Sequence, residues 1–448
     1  MMKDKLTVKY LIIGNSAGGI GAAEAIREID KNGSIAMISE EPYPAYSRPL
    51  ISEYLAKERP LEKISFRPAD FYKINNIQLI SGNKIETLDA KEHTAVLADE
   101  STIAWEKLLL ATGGMPIVPP TPGIDKKGVF NFITLNDAKA IDKFLHDADR
   151  VVVIGGGLIG VSVTEALIKR NARVTVVEMK DRLLSLILDE EVSAMAEKKL
   201  QQAGVEILTS HTVAKISSTS LVRDTVSSVV MDDGRIILCD AVVVAIGVRP
   251  RIEMARNSGI STNRGIVIDR QMATSHPDIY ACGDAAESYD FINGDYRLSP
   301  IWPNAYIGGR IAGLNMTGVR TEYQGGASMN SLNYFGLRIA SAGIINPPDN
   351  SYEVLSESKD GNYRKVIIKD GIIVGMVLTG NTDNAGIYIN LMRNKINVEE
   401  LKQILVSDDF GLASLPEELW LPQLSLPSSA EKYSVILAKE IEEILAAE

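Results

Sequence analysis

The stretch Val151–Glu178 restricts the possible folds of this chain more than any other part of the sequence. It opens with an apolar run that is typical of a buried parallel strand. Gly155, Gly157 and Gly160 follow in a G-x-G-x-x-G spacing, and a helical stretch then leads to a second β-rich run that ends at Glu178. This order of strand, glycine loop, helix, strand and acid predicts a βαβ unit that binds a dinucleotide.

Each glycine of the loop has a separate physical task. Gly155 permits the tight turn, Gly157 lets the backbone approach a pyrophosphate, and Gly160 lets the helix pack against the strand. Leu158 and Ile159 open the helix, whose free N–H groups and positive dipole end would meet the phosphates. These five residues are therefore candidate ligands of a diphosphate.

Glu178 is the candidate ligand of the ribose. It lies 23 residues after Gly155 (178 − 155), close to the spacing of about 20 expected for a carboxylate that accepts from a ribose 2′-hydroxyl. Lys180 and Arg182 follow it and would suit a 2′-phosphate, but an acid at the strand end repels one. The sequence therefore favours NADH over NADPH.

A degenerate copy of this unit begins 141 residues earlier (155 − 14). The strand Tyr10–Ile13 runs into Gly14, Ser16 and Gly19, so Ser16 stands where the middle glycine is expected. Because serine is small, a phosphate can still approach the backbone closely. The copy therefore predicts a second nucleotide site.

The two glycine motifs, at Gly14–Gly19 and Gly155–Gly160, are called the first and second fingerprints. Beyond them, the two units continue alike. In the first unit a helical stretch and a strand lead to Glu40 and Glu41, either of which is a candidate ribose acid. Alternating, turn-rich segments then lead in both units to an apolar strand that ends at a glycine, Gly113 or Gly247, with a proline just beyond. These glycines lie 134 residues apart (247 − 113), which indicates an internal duplication and two dinucleotide sites.

Charge and cysteine content exclude several classes of protein. A net charge of −11 gives little support to binding of nucleic acid or of an anionic membrane. No apolar stretch is long enough to span a bilayer, and the first one stops at Gly14, too early for a signal peptide, so a cytoplasmic location is expected. Cys239 and Cys282 form no C-x-x-C pair and the four histidines are scattered, so neither a disulfide framework nor a metal site is expected.

The last part of the chain changes character at about residue 324. Five runs carry strand or helix patterns: Leu332–Ile345, Lys365–Lys369, Ile372–Leu378, Ala385–Arg393 and Val398–Leu405. The first three predict strands and the last two predict helices, which indicates a separate α+β unit. Residues 407–448 follow as a proline-punctuated loop and an amphipathic helix.

Taken in order, these landmarks resemble the FAD/NAD(P)-dependent pyridine nucleotide–disulfide oxidoreductase superfamily, the two-dinucleotide flavoproteins. The set consists of a fingerprint, Ala111-Thr-Gly113, a second fingerprint, Ala245-Ile-Gly-Val-Arg-Pro250 and Tyr280-Ala-Cys-Gly-Asp284. The likeness covers about Val8–Ile404 and is greatest to NADH oxidases, rubredoxin reductases and the flavin portion of nitrite reductase.

The resemblance implies an α/β fold of two Rossmann-like three-layer domains, with the NAD-binding domain inserted in the FAD-binding domain. A C-terminal α+β domain of the dimerisation type would follow. The implied boundaries are 1–118 and 248–322 for the FAD-binding domain, 119–247 for the NAD-binding domain, 323–406 for the C-terminal domain and 407–448 for the tail.

The resemblance also implies roles for single residues. Glu40 would bind the adenosine ribose of FAD, Ile85 would meet the adenine side through its backbone, and Asp284 would hydrogen-bond the ribityl chain. Arg48, with Pro49 beside it, would lie at the flavin edge. Trp302 is a third candidate there, although Arg48 could be a surface arginine and Trp302 a core residue.

The complete expected set divides between the two cofactors. For FAD it is Gly14, Ser16, Ala17, Gly19, Glu40, Arg48, Ile85, Ala111, Thr112, Gly113, Gly283, Asp284 and Trp302. For NAD it is Gly155, Gly157, Leu158, Ile159, Gly160, Glu178 and Gly247.

Three positions depart from the family pattern. Relatives that depend on a thiol carry a cysteine in the segment that reads Ser47-Arg-Pro-Leu50 here. Many relatives have a glutamate near the nicotinamide where this chain has Ser162, and one branch has a flavin-contacting lysine where this chain has Glu53. Without the cysteine a flavin–thiol relay has no donor, which argues against disulfide reductase or peroxidase activity.

We therefore expect an FAD-dependent NADH:acceptor oxidoreductase in which electrons leave the flavin directly. The candidate acceptors are a rubredoxin- or ferredoxin-type protein, a partner subunit or dioxygen, and a homodimer is expected. Two alternatives stay open. One is an NADH oxidase or coenzyme A-disulfide reductase whose thiol lies elsewhere, and the other is an FAD- and NADH-binding electron-transfer subunit or regulator with little turnover.

Overall fold

The computed structural model describes residues 5–146, 149–219 and 224–418. The amphipathic helix expected near the C-terminus lies outside these residues. Within them, no helix combines the length and the apolar character needed to cross a bilayer.

Strands and helices alternate along most of the chain. The strands are β1 (Lys5–Ile13), β2 (Ile35–Ser39), β3 (Ile77–Ser81), β4 (Ile85–Asp89), β5 (Thr94–Leu97), β6 (Thr102–Leu110), β7 (Gly114–Pro116), β8 (Val129–Asn131), β9 (Arg150–Ile154), β10 (Arg173–Glu178), β11 (Glu206–Thr209), β12 (Val213–Ser217), β13 (Ser228–Met231), β14 (Ile236–Leu238), β15 (Ala241–Val244), β16 (Val248–Pro250), β17 (Ile266–Val267), β18 (Ile279–Ala281), β19 (Ala286–Asp290), β20 (Asp295–Arg297), β21 (Met329–Tyr334), β22 (Leu337–Gly343), β23 (Glu353–Lys359), β24 (Asn362–Lys369) and β25 (Ile372–Thr379). The α-helices are α1 (Ala17–Ile29), α2 (Ile51–Leu55), α3 (Phe71–Ile74), α4 (Leu135–Phe144), α5 (Leu158–Lys169), α6 (Glu190–Gln202), α7 (Glu253–Asn257), α8 (Trp302–Met316), α9 (Ala385–Arg393) and α10 (Lys402–Leu405).

The first sheet is built around β1, the strand that ends at the first fingerprint. Its parallel strands follow the order β3-β2-β1-β6-β18. The first residues of β6 also pair antiparallel with β5, which forms a hairpin with β4. Because β1, β6 and β18 end at the same edge of the sheet, the loops that follow them meet there, where ligands bind in such folds.

The second sheet repeats this plan within an insertion. Its parallel strands follow the order β11-β10-β9-β15-β8, and β12, β13 and β14 form a separate antiparallel meander. The chain enters the unit through β7 and leaves through β16, and these two strands pair antiparallel, with Gly114 opposite Pro250. The expected insertion of one α/β domain in another is therefore confirmed, whereas the expected boundaries at 118 and 247 stay predictions.

The last unit is an antiparallel sheet in the order β21-β22-β25-β24-β23, with α9 packed against it. Its α+β character is confirmed, but one detail of the sequence expectation is wrong. Leu332–Ile345 is a hairpin, β21–β22, that turns at Phe335 and Gly336, both with positive φ. Val398–Leu405 is helical as expected, as a 3-10 turn (Glu399–Leu401) that runs directly into the short α10.

Two glycine-rich helices, α1 and α8, cross in direct backbone contact. A side chain on Gly309 of α8 would overlap the carbonyl oxygen of Gly18 in α1. In the opposite direction, a side chain on Gly21 of α1 would overlap the carbonyl oxygen of Tyr306 in α8. Backbones this close leave no room to adjust, so the contact fixes the start of α1 relative to α8.

The strands β7 and β16, each with the residue after it, are the first and second linkers between the domains. The domains are also joined by a shared core. Tyr46, Ile51 and Leu55, which follow β2 in the first domain, pack in one cluster with Leu167 of α5 and Tyr334 of β21. This cluster takes side chains from all three domains, so the segment after β2 links the first domain to the other two.

Substitution of Gly309 by alanine tests the contact between α1 and α8. The added methyl group meets backbone, which cannot rotate away, so the free energy of unfolding should fall by about 1–3 kcal/mol. Gly386→Ala in α9 is the matched control, since open space surrounds Gly386, and it should change stability by no more than about 1 kcal/mol, in the stabilising direction. Urea denaturation of both variants measures the difference, and equal midpoints would contradict the close contact.

Candidate functional site

The first fingerprint forms a bare backbone loop between β1 and α1. Gly14 has a φ of +124° and lies against the carbonyl group of Ala111, while a side chain on Gly19 would overlap the carbonyl oxygen of Gly14. Ser16 is the N-cap residue of α1, yet its side chain makes no capping hydrogen bond in the structure, and the buried Ala17 follows it. The N–H groups at this helix end therefore suit an anionic ligand.

Across from this loop, the ends of β6 and β18 leave an open cleft. Gly113, with a φ of +67°, has free space where a side chain would lie. Gly283, with a φ of +70°, starts the turn that presents Asp284. Burial raises the pKa of Asp284, and the positive charge of Arg48 counteracts this shift. Asp284 lines a depression whose other walls come from both linkers and from the segment before α8.

These features fit the flavin dinucleotide that the sequence implies. A glycine loop at a helix end accommodates a diphosphate, and the open space beside Gly113 lets a ligand approach the backbone there. A buried carboxyl group such as Asp284 is costly unless a polar partner meets it, and sugar-chain hydroxyls would supply that partner. The assignment of single residues to FAD stays a prediction.

Of the two acids after β2, Glu40 is the more exposed. Glu41 is partly buried, accepts hydrogen bonds from the Tyr46 hydroxyl at 2.9 Å, and pairs with Arg48 at 3.0 Å. Glu40 is exposed over 54% of its side chain and pairs with Arg251 at 2.7 Å. Both carboxylates are paired with an arginine, but Glu41 also holds Tyr46 and is only 15% exposed, so Glu40 is the more accessible of the two to a ribose.

The flavin-edge candidates lie around the cleft but are engaged in different ways. The guanidinium of Arg48 also donates to the carbonyl oxygen of Ile133 at 3.3 Å, so it ties the first domain to the start of α4. Pro49 lies in the short 3-10 turn that Arg48 begins. Trp302 is the first residue of α8 and packs edge-on against Phe66, with ring centroids 5.0 Å apart.

Ile85 and Thr112 differ in their surroundings. Ile85 is the first residue of β4 and is buried, with 8% of its surface exposed. The hydroxyl of Thr112 donates to the carbonyl oxygen of Arg251 at 2.9 Å. The end of β6 is thereby held against the second linker.

The second fingerprint keeps all three glycines for steric reasons. Gly155 has a φ of +106°, and a side chain on Gly160 would overlap its carbonyl oxygen. Gly157 is the exposed N-cap residue of α5, and open space surrounds it, as close approach of a diphosphate requires. The carboxylate of Glu178 accepts from the backbone N–H groups of Gly156 at 2.5 Å and of Lys180 at 2.7 Å. Glu178 is therefore held at the edge of the diphosphate loop.

The first two residues of α5 and the last residue of the second unit complete the expected NAD set. Leu158 and Ile159 are partly buried in the first turn of α5. Gly247 has a φ of +122°, and its carbonyl oxygen accepts from the backbone of Ile117 at 3.0 Å. Gly247 therefore lies where the insertion returns to the first domain.

Ser162 faces the C-terminal domain. Its hydroxyl lies 3.5 Å from the hydroxyl of Tyr334, and burial raises the pKa of Tyr334 to about 12. The acid expected by resemblance at this position is thus replaced by a pair of neutral hydroxyl groups.

Both cysteines are buried. Cys282 packs between α1 and α8, since side chains added to Gly18 or Gly308 would meet its atoms. Burial raises the pKa of Cys282 and of Cys239 to about 12. Both thiols are therefore neutral near pH 7, and the geometry supports a packing role for each.

Comparison with family models decides the classification. The model described as pyridine nucleotide-disulphide oxidoreductase matches residues 8–309. The chain belongs to this family. Its cofactors are accordingly FAD and NADH, and it is an oxidoreductase. A second model, described as the rubredoxin NAD+ reductase C-terminal domain, matches residues 329–396.

Individual relatives agree with this classification. The chain is 30% identical to the NADH-dependent phenylglyoxylate dehydrogenase subunit epsilon of Aromatoleum evansii, over 90% of this chain and 96% of that one. It is 30% identical to the 5,5'-dehydrodivanillate O-demethylase ferredoxin reductase subunit of Sphingobium sp., over 83% of this chain and 90% of that one. It spans about half (49%) of the nitrite reductase of Bacillus subtilis, at 28% identity over 89% of this chain.

A solved structure of the putidaredoxin reductase–putidaredoxin complex has the same fold. Its TM-score is 0.84 at 24% identity, and the match covers 93% of this chain and 99% of that chain.

Sequence reasoning missed two residues at the site, Arg251 and Tyr46. Arg251 reaches Glu40 across 211 residues of chain, and no local pattern marks it. The hydroxyl of Tyr46 joins Glu41 to the backbone N–H of Leu135 at the start of α4.

Alkylation tests the assigned state of the thiols. Since reactivity requires the thiolate and the pKa of each thiol is about 12, native protein should resist iodoacetamide between pH 7 and pH 9. Both Cys239 and Cys282 should react once the protein is unfolded in guanidinium, which is the positive control. Mass spectrometry counts the adducts, and stoichiometric labelling of native protein would contradict the packing role.

Proposed function

We propose that this enzyme passes electrons from NADH to a small one-electron carrier protein, with FAD on the first fingerprint and NADH on the second. The observation that carries the proposal is the state of the cysteines. Both are buried, and neither lies in Ser47–Leu50, where a thiol would meet the flavin. Electrons would therefore leave the flavin without a thiol intermediate.

The chain's own residues bind and orient the two nucleotides. The N-termini of α1 and α5 would hold the diphosphates, and Glu178 would accept from the ribose of NADH. Asp284 would hold the sugar chain of the flavin, and the neutral Ser162 and Tyr334 would border the NADH-binding helix without adding charge. Bound FAD supplies the chemistry that connects a two-electron donor with one-electron acceptors.

The balance of the reaction fixes the stoichiometry. One NADH and two molecules of oxidised carrier give one NAD+, one proton and two molecules of reduced carrier. The match of the C-terminal unit to a rubredoxin reductase domain and the relation to a ferredoxin reductase subunit support a carrier of rubredoxin or ferredoxin type. The relation to a subunit of phenylglyoxylate dehydrogenase supports a second candidate, delivery to a partner subunit of a larger enzyme.

Anaerobic stopped-flow mixing tests the proposal. NADH should bleach the bound flavin rapidly, and the reduced protein should then reduce rubredoxin or ferredoxin faster than it reduces dioxygen or a disulfide such as coenzyme A disulfide. Slow bleaching would favour the low-turnover subunit or regulator. Rapid turnover with a disulfide, abolished by Cys282→Ser, would favour the disulfide reductase.

We further propose that the protein is a cytoplasmic homodimer joined through its C-terminal domain. The outer strand β23 is exposed at nearly all of its residues and pairs only with β24 within the described sheet, so its other edge is free for a second copy. Sedimentation velocity should give about twice the monomer mass of 48.7 kDa. A single monomeric species at micromolar concentration would contradict the dimer.

Glu178→Gln tests the nicotinamide nucleotide site. Loss of the carboxylate should raise the KM for NADH about tenfold, because a charged hydrogen bond to the ribose is lost. The preference for NADH over NADPH should also shrink, because the repulsion of a 2′-phosphate is relieved. Glu191→Gln, an exposed acid on α6, is the control and should leave both constants unchanged. Steady-state kinetics with each nucleotide decide the outcome, and an unchanged KM for NADH would contradict the assignment.

A further inference from the structure

Arg251 lies at the first nucleotide site although it belongs to the second linker. It follows β16 directly, and its guanidinium pairs with the carboxylate of Glu40 at 2.7 Å. Glu40 directly follows β2. The contact therefore joins the second linker to the acid that is expected to bind the adenosine ribose.

The backbone of Arg251 is fixed from both sides. Its N–H donates to the carbonyl oxygen of Gly113 at 2.9 Å, and its carbonyl oxygen accepts from the hydroxyl of Thr112, also at 2.9 Å. Since Thr112 and Gly113 follow β6 and Glu40 follows β2, Arg251 bridges the ends of the strands on either side of β1. The first fingerprint lies between them, at the end of β1.

The side chain of Arg251 retains an unused donor. Its Nε atom is buried and, among the described residues, has no hydrogen-bond partner. A buried guanidinium donor without an acceptor costs free energy, so a ligand that supplies an acceptor gains affinity. The neighbouring fingerprint offers backbone N–H groups to an anion but contains no cationic side chain of its own.

We propose that Arg251 is a binding residue for the adenosine diphosphate half of FAD. One nitrogen of the guanidinium holds Glu40 in place for the ribose hydroxyls, and Nε donates to an acceptor on the ligand. The positive charge also offsets the charge of the diphosphate. This inference rests on the proposed placement of FAD on the first fingerprint.

Reconstitution of the apoprotein tests the role of Arg251. The full-length chain is stripped of flavin, and FAD binding is followed by quenching of flavin fluorescence. Arg251→Gln should weaken FAD binding at least tenfold, because a charged hydrogen bond is lost. Arg256→Gln is the matched control: it removes an exposed arginine of the nearby α7 whose Nε donates to the Thr262 hydroxyl at 3.2 Å, so FAD affinity should stay within twofold of the unaltered chain.

Competition experiments show which half of FAD is affected by the substitution of Arg251. ADP and FMN are each allowed to compete with FAD for the apoprotein, so binding of ADP at the NADH site is not counted. In Arg251→Gln the inhibition constant of ADP should rise by about the same factor as the dissociation constant of FAD, while that of FMN should not change. Equal losses for ADP and FMN would show a general loosening of the site and would overturn the proposal, as would unchanged FAD binding.

Two further measurements keep the result interpretable. NADH binding to the same preparations reports on the second domain, and retained affinity there shows that Arg251→Gln is folded. If that variant fails to fold, Arg251→Lys, which keeps the charge and loses the fork of donors, should show an intermediate loss of ADP and FAD affinity, and unchanged affinities would overturn the proposal. Failure of the unaltered apoprotein to bind FAD would instead refute the proposed function.

Discussion

The backbone contact between α1 and α8 is the constraint on which the FAD-binding half depends. Gly18 and Gly309 allow the two helices to meet without side chains between them. The start of α1 carries the first fingerprint, and the segment just before α8 follows the turn at Asp284. The position of the first glycine loop relative to Asp284 is therefore set by backbone sterics, which cannot relax as side-chain packing can.

The second constraint is the pair of linkers. Strands β7 and β16 hydrogen-bond to each other, so the inserted domain leaves and rejoins the first domain at one place. Arg251 follows β16 and contacts both Glu40 and the end of β6. As a result, the connection that carries the inserted domain also contacts the end of the first domain where we propose that FAD binds. The segment after β2 adds another connection through Tyr46, Glu41 and Arg48.

Much of this architecture could be predicted from sequence because its signals are local. Gly14 and Gly155 adopt positive φ, which costs little free energy for glycine and more for other residues. Glycines at such turns are therefore recognisable in the sequence. Apolar runs that end at such glycines indicate parallel strands, and their repetition indicated two domains. Exposed elements carry no such local signal, which is why β23 was not foreseen.

The sequence by itself determined the two nucleotide folds, the order of the domains and the absence of a cysteine from Ser47–Leu50, since each depends on residue type and spacing along the chain. Only the tertiary structure decided which acid after β2 is exposed and what faces Ser162. It also showed that Arg251 contacts Glu40. Those answers depend on contacts between residues far apart in sequence, such as Arg251 with Glu40 and Ser162 with Tyr334, and such contacts exist only after the sheets have brought their ends together.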